Sequence, residues 1–126
     1  MALKYKPVAH KNPGDQTAPV KYYAQAVSTG KVSLRQLANR IAQISTVSPV
    51  DTLAVLEGFV QVIPEELANG NIVKLGDFGS FNVTLRSEGV DKAEDVSSSL
   101  IRNTSIRFRP GKLLKNTVDN ATFEKE

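Results

Sequence analysis

The chain has 126 residues with a formal net charge of +3, 40% hydrophobic and 6% aromatic residues, and neither Cys nor Trp. That length suits about one domain, and the lack of cysteine excludes disulfides, thiolate nucleophiles and cysteine metal sites. One histidine, His10, builds neither a metal cluster nor a proton relay by itself, no apolar run approaches a membrane span, and Met1-Ala2-Leu3-Lys4-Tyr5-Lys6 lacks the apolar core of a secretion signal, so the expected location is the cytoplasm.

Residues 3–11 and Tyr22–Val27 are strand candidates, and Asn12–Pro19 is a loop marked by Asn12-Pro13-Gly14-Asp15. Pro7 cannot donate to a ladder, which argues against a central position for the first strand. Ser33 starts a helix in which Leu34, Leu37, Ala38, Ile41 and Ile44 form one apolar stripe. Ser33 and Gln36 have capping-box spacing. A second helix opens with Ser48 as cap, Pro49 at the first helical position and Asp51 in the first turn. Leu53, Leu56, Phe59, Val60, Ile63 and Leu67 line one side of it, and Val55 and Val62 widen that side enough for more than one neighbour. Pro64 is expected to kink or split the helix near its end, because it lacks an N–H and crowds the preceding turn. Asn69-Gly70-Asn71 closes it.

The hydrophobic period then changes from about 3.6 to 2. Ile72–Leu75 is a strand, Gly76–Gly79 contains a turn, and Ser80–Arg86 is a strand with Phe81, Val83 and Leu85 on one face and Asn82, Thr84 and Arg86 on the other. Residues 87–100 are rich in Ser, Glu and Asp and read as a mobile connection or arm. Alternation returns at Ile106-Arg107-Phe108-Arg109, Pro110-Gly111 stops the strand, and Lys112–Val118 is a short helix with Leu113 and Leu114 as its apolar contacts.

Charge is distributed unevenly along this order. Residues 1–31 carry Lys4, Lys6, Lys11, Lys21 and Lys31 against Asp15 alone. Residues 102–118 carry Arg102, Arg107, Arg109, Lys112 and Lys115 against no acid. Between them lie Glu88, Asp91, Glu94 and Asp95 with only Lys92. Ile106 and Phe108 are expected to pack on the helices while Arg107 and Arg109 point away, in the phase that Arg86 shares on its own strand. Guanidinium forks match phosphate geometry and lysines add diffuse attraction, so these side chains make a candidate phosphate-binding surface. The bland alternative is a solvated face. Enzymatic chemistry has little to stand on. Asp77 between Gly76 and Gly79 has no His or Cys beside it, and Gly76-Asp77-Phe78-Gly79 lacks the spacing of a dinucleotide fingerprint. Glu65 and Glu66 diverge by about 100° on a helix and make no catalytic pair.

The order helical hairpin, Ile72-Val73-Lys74-Leu75-Gly76-Asp77-Phe78-Gly79-Ser80-Phe81, arm, then Ile106-Arg107-Phe108-Arg109-Pro110-Gly111-Lys112-Leu113-Leu114-Lys115 resembles the bacterial histone-like proteins and integration host factor. The resemblance covers about residues 33–120, and a Bacteroides-type subgroup of this superfamily looks similar over the whole length, including a leading segment corresponding to residues 1–32. It implies an α+β fold: a helical hairpin plus an antiparallel β-saddle with an arm at about 87–105, in an intertwined homodimer. It implies double-stranded DNA as partner, low sequence specificity, a place on the nucleoid, and no cofactor, metal or small-molecule substrate. Carried over position by position, Phe59, Phe78, Phe81 and Phe108 resemble dimer-core aromatics. Arg107, Arg109, Lys112 and Lys115 resemble the basic saddle and flank, with Lys74, Arg86 and Arg102 as further contacts.

This sequence also departs from the family pattern. Family arms are basic and carry Arg-Asn-Pro near the tip, where proline wedges between base steps. Here residues 87–105 contain no proline, the first half is acidic, and Arg102-Asn103 is followed by Thr104. The apolar wedge candidates are Val90, Val96, Leu100 and Ile101. The expectation is therefore DNA binding led by the saddle, with weaker or altered bending. The rival readings are a structural or protein-binding relative that has lost DNA binding, and an RNA-binding module. The leading segment either adds strands to the sheet edge, protects that edge, or extends the basic surface through Lys4, Lys6, Lys11 and Lys21.

Overall fold

The computed structural model describes residues 2–126. Two compact units divide it, one built from residues 2–33 with 117–126 and the other from residues 34–116.

The larger unit opens with a helical hairpin. Helix α1 spans Leu34–Gln43 and begins directly after Ser33. Helix α2 spans Pro49–Ala68, and the Ser48 hydroxyl accepts the Asp51 N–H at 3.1 Å, with Pro at the start where a missing N–H costs nothing. Ala38 of α1 and Thr52 and Leu67 of α2 are buried, and the Thr52 hydroxyl donates back to the Ser48 carbonyl at 2.8 Å. Pro64 does not split α2, which runs through it as one 20-residue helix. Proline removes one bond of the ladder, but Pro64 lies close enough to the C-terminus that capping secures the last turn. There, Gly70 N–H bonds the Leu67 carbonyl at 3.0 Å and Asn71 N–H bonds the Glu66 carbonyl at 3.1 Å, the paired bonds of a Schellman end.

The sheet that follows is built from β3 (Val73–Lys74), β4 (Gly79–Ser87) and β5 (Ile101–Pro110), in the order β3-β4-β5. A 3-10 turn at Gly76–Phe78 joins the first two strands. The β4–β5 ladder is longer than alternation alone indicated, extending to Ser87 opposite Ile101. The tip at residues 88–100 is not without order: it contains 3-10 turns at Ala93–Asp95 and Ser98–Leu100 and is closed by a Glu88 N–H to Leu100 carbonyl bond of 3.0 Å. Helix α3 (Lys112–Asp119) follows β5, with Leu114 half-buried and Leu113 exposed.

The smaller unit is a sheet of β1 (Ala2–His10), β2 (Lys21–Val27) and β6 (Thr122–Lys125), in the order β2-β1-β6. The first two strands are an antiparallel hairpin, and β6, which nothing in the local pattern announced, pairs parallel with β1. This makes β1 central despite Pro7. The conflict is avoided because β6 pairs only with Ala2–Tyr5, so its ladder ends before the proline, and Pro7 faces Ala24 across the other ladder. In the hairpin loop, Asp15 accepts both the hydroxyl (2.6 Å) and the N–H (2.9 Å) of Thr17, and these bonds hold its carboxyl below the usual aspartate value.

The end of β5 is pinned where backbone meets backbone. The Gly111 N–H donates to the Phe78 carbonyl at 2.9 Å, and a Cβ on Gly111 would run into the Asp77 carbonyl. A Cβ on Gly79, which sits at φ 149°, would likewise run into the Arg109 carbonyl and the Phe108 ring. Gly111→Ala should therefore lose about 1–3 kcal/mol of stability, the usual cost of forcing carbon into filled space, as measured by urea denaturation against the parent chain.

Candidate nucleic-acid interface

Residues opposite one another in register share a face of the sheet. Lys74 lies opposite Ser80, which lies opposite Arg109, so one row crosses all three strands with a cation at each end. The next rows on that face are Asn82 with Arg107, Thr84 with Ser105, and Arg86 with Asn103. Arg107 and Arg109 are two strand residues apart, about 7 Å. Lys74, Ser80 and Arg109 line a shallow concavity with the backbone of Gly76, Gly79 and Gly111. Hydroxyl and amide side chains thus sit between the cations. Ser80, Asn103 and Ser105 were not singled out by sequence, since only the strand register places them among the arginines.

Lys112 and Lys115 occupy the first turn of α3, and the Lys115 N–H bonds the Gly111 carbonyl at 3.0 Å. Unpaired backbone N–H groups give a helix start a partial positive charge, so two lysines there are unfavourable to each other and to the helix. An anion at this end would relieve both.

Among the described residues, the one salt bridge joins the Arg102 guanidinium to the Glu88 carboxylate at 2.6 Å, both about half exposed. Among those same residues Lys74, Arg86, Arg107, Arg109, Lys112 and Lys115 have no carboxylate partner. Arg102 is set apart from them. The ladder skips a residue between Arg86–Asn103 and Ser87–Ile101, leaving Arg102 in a bulge at the base of the tip and tied to the acidic stretch.

The opposite face of the sheet carries Val73, Phe81 and Phe108 in one row and Val83 with Ile106 in another. The Phe81 and Phe108 rings meet at a tilt with centres 4.7 Å apart, and Phe78 approaches Phe108 at 5.8 Å. Phe59, on α2, makes no ring contact among the described residues. In the single chain this apolar side is open: Phe59 is 44% exposed, Phe78 45%, Phe108 38% and Ile106 65%. Val55, Val60 and Val62 of α2 are also exposed.

Comparison with known proteins fits this geometry. A family model described as an HU domain fused to a wHTH, Ig or glycine-rich motif matches residues 1–125. The chain belongs to this HU family. Integration host factor subunit alpha of Proteus mirabilis is 31% identical to it over 91 residues, covering 69% of this chain and 91% of that protein. The DNA-binding protein HU of Thermus thermophilus is 30% identical over 89 residues, covering 69% and 92%. Two solved structures share the fold. A protein of Bacteroides vulgatus superposes with a TM-score of 0.67 at 18% identity; it covers 98% of this chain, which spans about half (48%) of that longer one. The Anabaena HU–DNA cocrystal protein superposes with a TM-score of 0.56 at 22% identity, over 71% of this chain and 99% of that one. The fold is the α+β helical hairpin with an antiparallel sheet and arm, and proteins of this superfamily are non-enzymatic DNA-binding proteins.

The Arg102–Glu88 pair is too wet to matter much for folding. Glu88→Gln should change stability by less than about 1 kcal/mol, read from the urea midpoint at constant slope.

Proposed function

We propose that this HU-family chain binds double-stranded DNA with low sequence specificity through the polar face of β3-β4-β5 and the start of α3, working as a homodimer that organises the nucleoid in the cytoplasm. The observation that carries this is a single basic face: Lys74, Arg86, Arg107 and Arg109 share one side of the sheet with no carboxylate partner among the described residues, and Lys112 and Lys115 follow at the helix start. Such charges neutralise backbone phosphates and fix the position of the duplex without reading its bases. Relatives named integration host factor and DNA-binding protein HU support the same reading.

The dimer follows from the apolar side. A chain that buries only Ala38 and Leu67 among its described hydrophobic residues, while leaving Phe59, Phe78 and Phe108 open, has a core that a second copy would complete. Phe59, Phe78, Phe81 and Phe108 are assigned to that shared core. Sedimentation equilibrium should give a mass near twice 13.7 kDa, and a monomer at micromolar concentration would refute the assignment.

Binding is led by the saddle rather than by the arm. The arm tip carries Glu88, Asp91, Glu94 and Asp95, lacks proline, and holds Arg102 in an ion pair. Acids at the tip repel phosphates, and no motif-bound wedge is present to unstack a base step. Bending should therefore be weak or altered, and a sharp kink that vanishes when residues 88–101 are shortened would overturn the saddle-led form.

Replacing Arg107, Arg109, Lys112 and Lys115 together by Ala should weaken binding at least about tenfold near physiological salt. It should also flatten the log–log salt dependence by about 0.9 for each phosphate the variant no longer neutralises. Titrations against linear, nicked and four-way-junction DNA and double-stranded RNA, at two salt concentrations, check this. Undiminished binding by the folded variant would sink the proposal, and a preference for RNA would redirect it.

A further inference from the structure

The hairpin of the smaller unit is two-faced, and we propose that its basic face is a second contact surface for the phosphate backbone of duplex DNA. The inference rests on the DNA-binding reading above and extends it to residues outside the saddle. Strand register divides the side chains of β1, β2 and β6 between two faces. Leu3, Tyr5, Pro7, Ala24, Ala26 and Phe123 fall on one face, with Lys125 at its edge. Lys4, Lys6, His10, Lys21, Tyr23 and Gln25 fall on the other, interrupted by Val8 and Val27 and bordered by Glu124.

That second face has the features of the saddle. Lys4 and Lys6 are two strand residues apart, about 7 Å, the interval that separates Arg107 and Arg109 on β5. Lys4, Lys6 and Lys21 are exposed and have no carboxylate partner among the described residues. Glu124 lies opposite Lys4 in register, yet the two form no ion pair. Asp15, the acid of the hairpin loop, is already engaged with Thr17. At the loop end the face runs into a concavity lined by His10, Lys11, Asn12, Lys21 and Tyr23, with the His10 and Tyr23 rings edge-to-face at 5.4 Å. The cations form an open strip along a strand rather than an enclosed cup. A strip suits an extended polyanion better than a small anion, which needs several donors converging on one point.

The test uses the full chain and a linear duplex, with two variants read side by side: Lys4→Ala/Lys6→Ala/Lys21→Ala, and the saddle variant Arg107→Ala/Arg109→Ala/Lys112→Ala/Lys115→Ala. Circular dichroism first establishes that each is folded. The lysine variant should flatten the log–log salt dependence of binding by about 2.7 per protomer and shorten the length of duplex protected from nuclease. The charge-preserving Lys4→Arg/Lys6→Arg/Lys21→Arg variant should keep both, which a merely structural role for these positions would not require. An unchanged slope and footprint in the lysine variant, beside loss of binding in the saddle variant, overturns this inference alone. Unchanged binding in both variants overturns the DNA reading with it.

Discussion

The two-residue repeat of the β4–β5 ladder is the constraint on which the rest of this structure depends. Because neighbouring side chains in a strand leave on opposite faces, each Arg–Phe–Arg step sends charge one way and aromatic surface the other. A one-residue slip would exchange the faces, sending Arg107 and Arg109 to the side of Phe81 and Val83 and Phe108 to the side of Lys74 and Arg86. The register is secured at the end where it matters most. There, Gly79 lies against Arg109 and Phe108, and Gly111 bonds to Phe78 with no room for a side chain against Asp77. The same close approach starts α3 and so fixes where Lys112 and Lys115 stand relative to the arginines.

Assembly and function are linked by that geometry. The face that would meet DNA is the reverse of a sheet face that one chain leaves open at Phe108 and Ile106, and the valines of α2 are open as well. In the proposed dimer, burying these residues would both close the core and hold two basic faces in a common orientation. A dimer doubles the number of phosphates met at once, which raises affinity through many weak interactions. The acidic tip acts in the opposite sense. Its one ion-pair partner among the described residues is Arg102, which the bulge has moved out of step with the saddle.

Much of this was legible in the chain. Helix starts were written in short-range chemistry, as with Ser48-Pro49 and its bond to Asp51, and so was the stop at Asn69-Gly70-Asn71. The alternation at 106–109 identified a strand and its two faces. Three features were not legible, each because residues outside the local stretch decide it. Pro7 argued against a central strand, but the reach of β6 stops before it. Pro64 argued for a kinked or split helix, but α2 continues past it to a capped last turn without a split. Residues 122–125 carry no strand signal of their own and become a strand because β1 offers them an edge.

The sequence by itself determined which residues are apolar, which are cationic, where helices begin, and the period that separates two faces of a strand. All of these follow from local sterics, capping and hydrophobic spacing within a few residues. Only the tertiary structure decided which strands pair and in what register. That placed Lys74, Ser80 and Arg109 in one row, isolated Arg102 with Glu88, and drew Lys4, Lys6 and Lys21 onto a common face. Ladder pairing joins residues far apart in the chain, and its outcome depends on which edges are free, a property no local stretch contains.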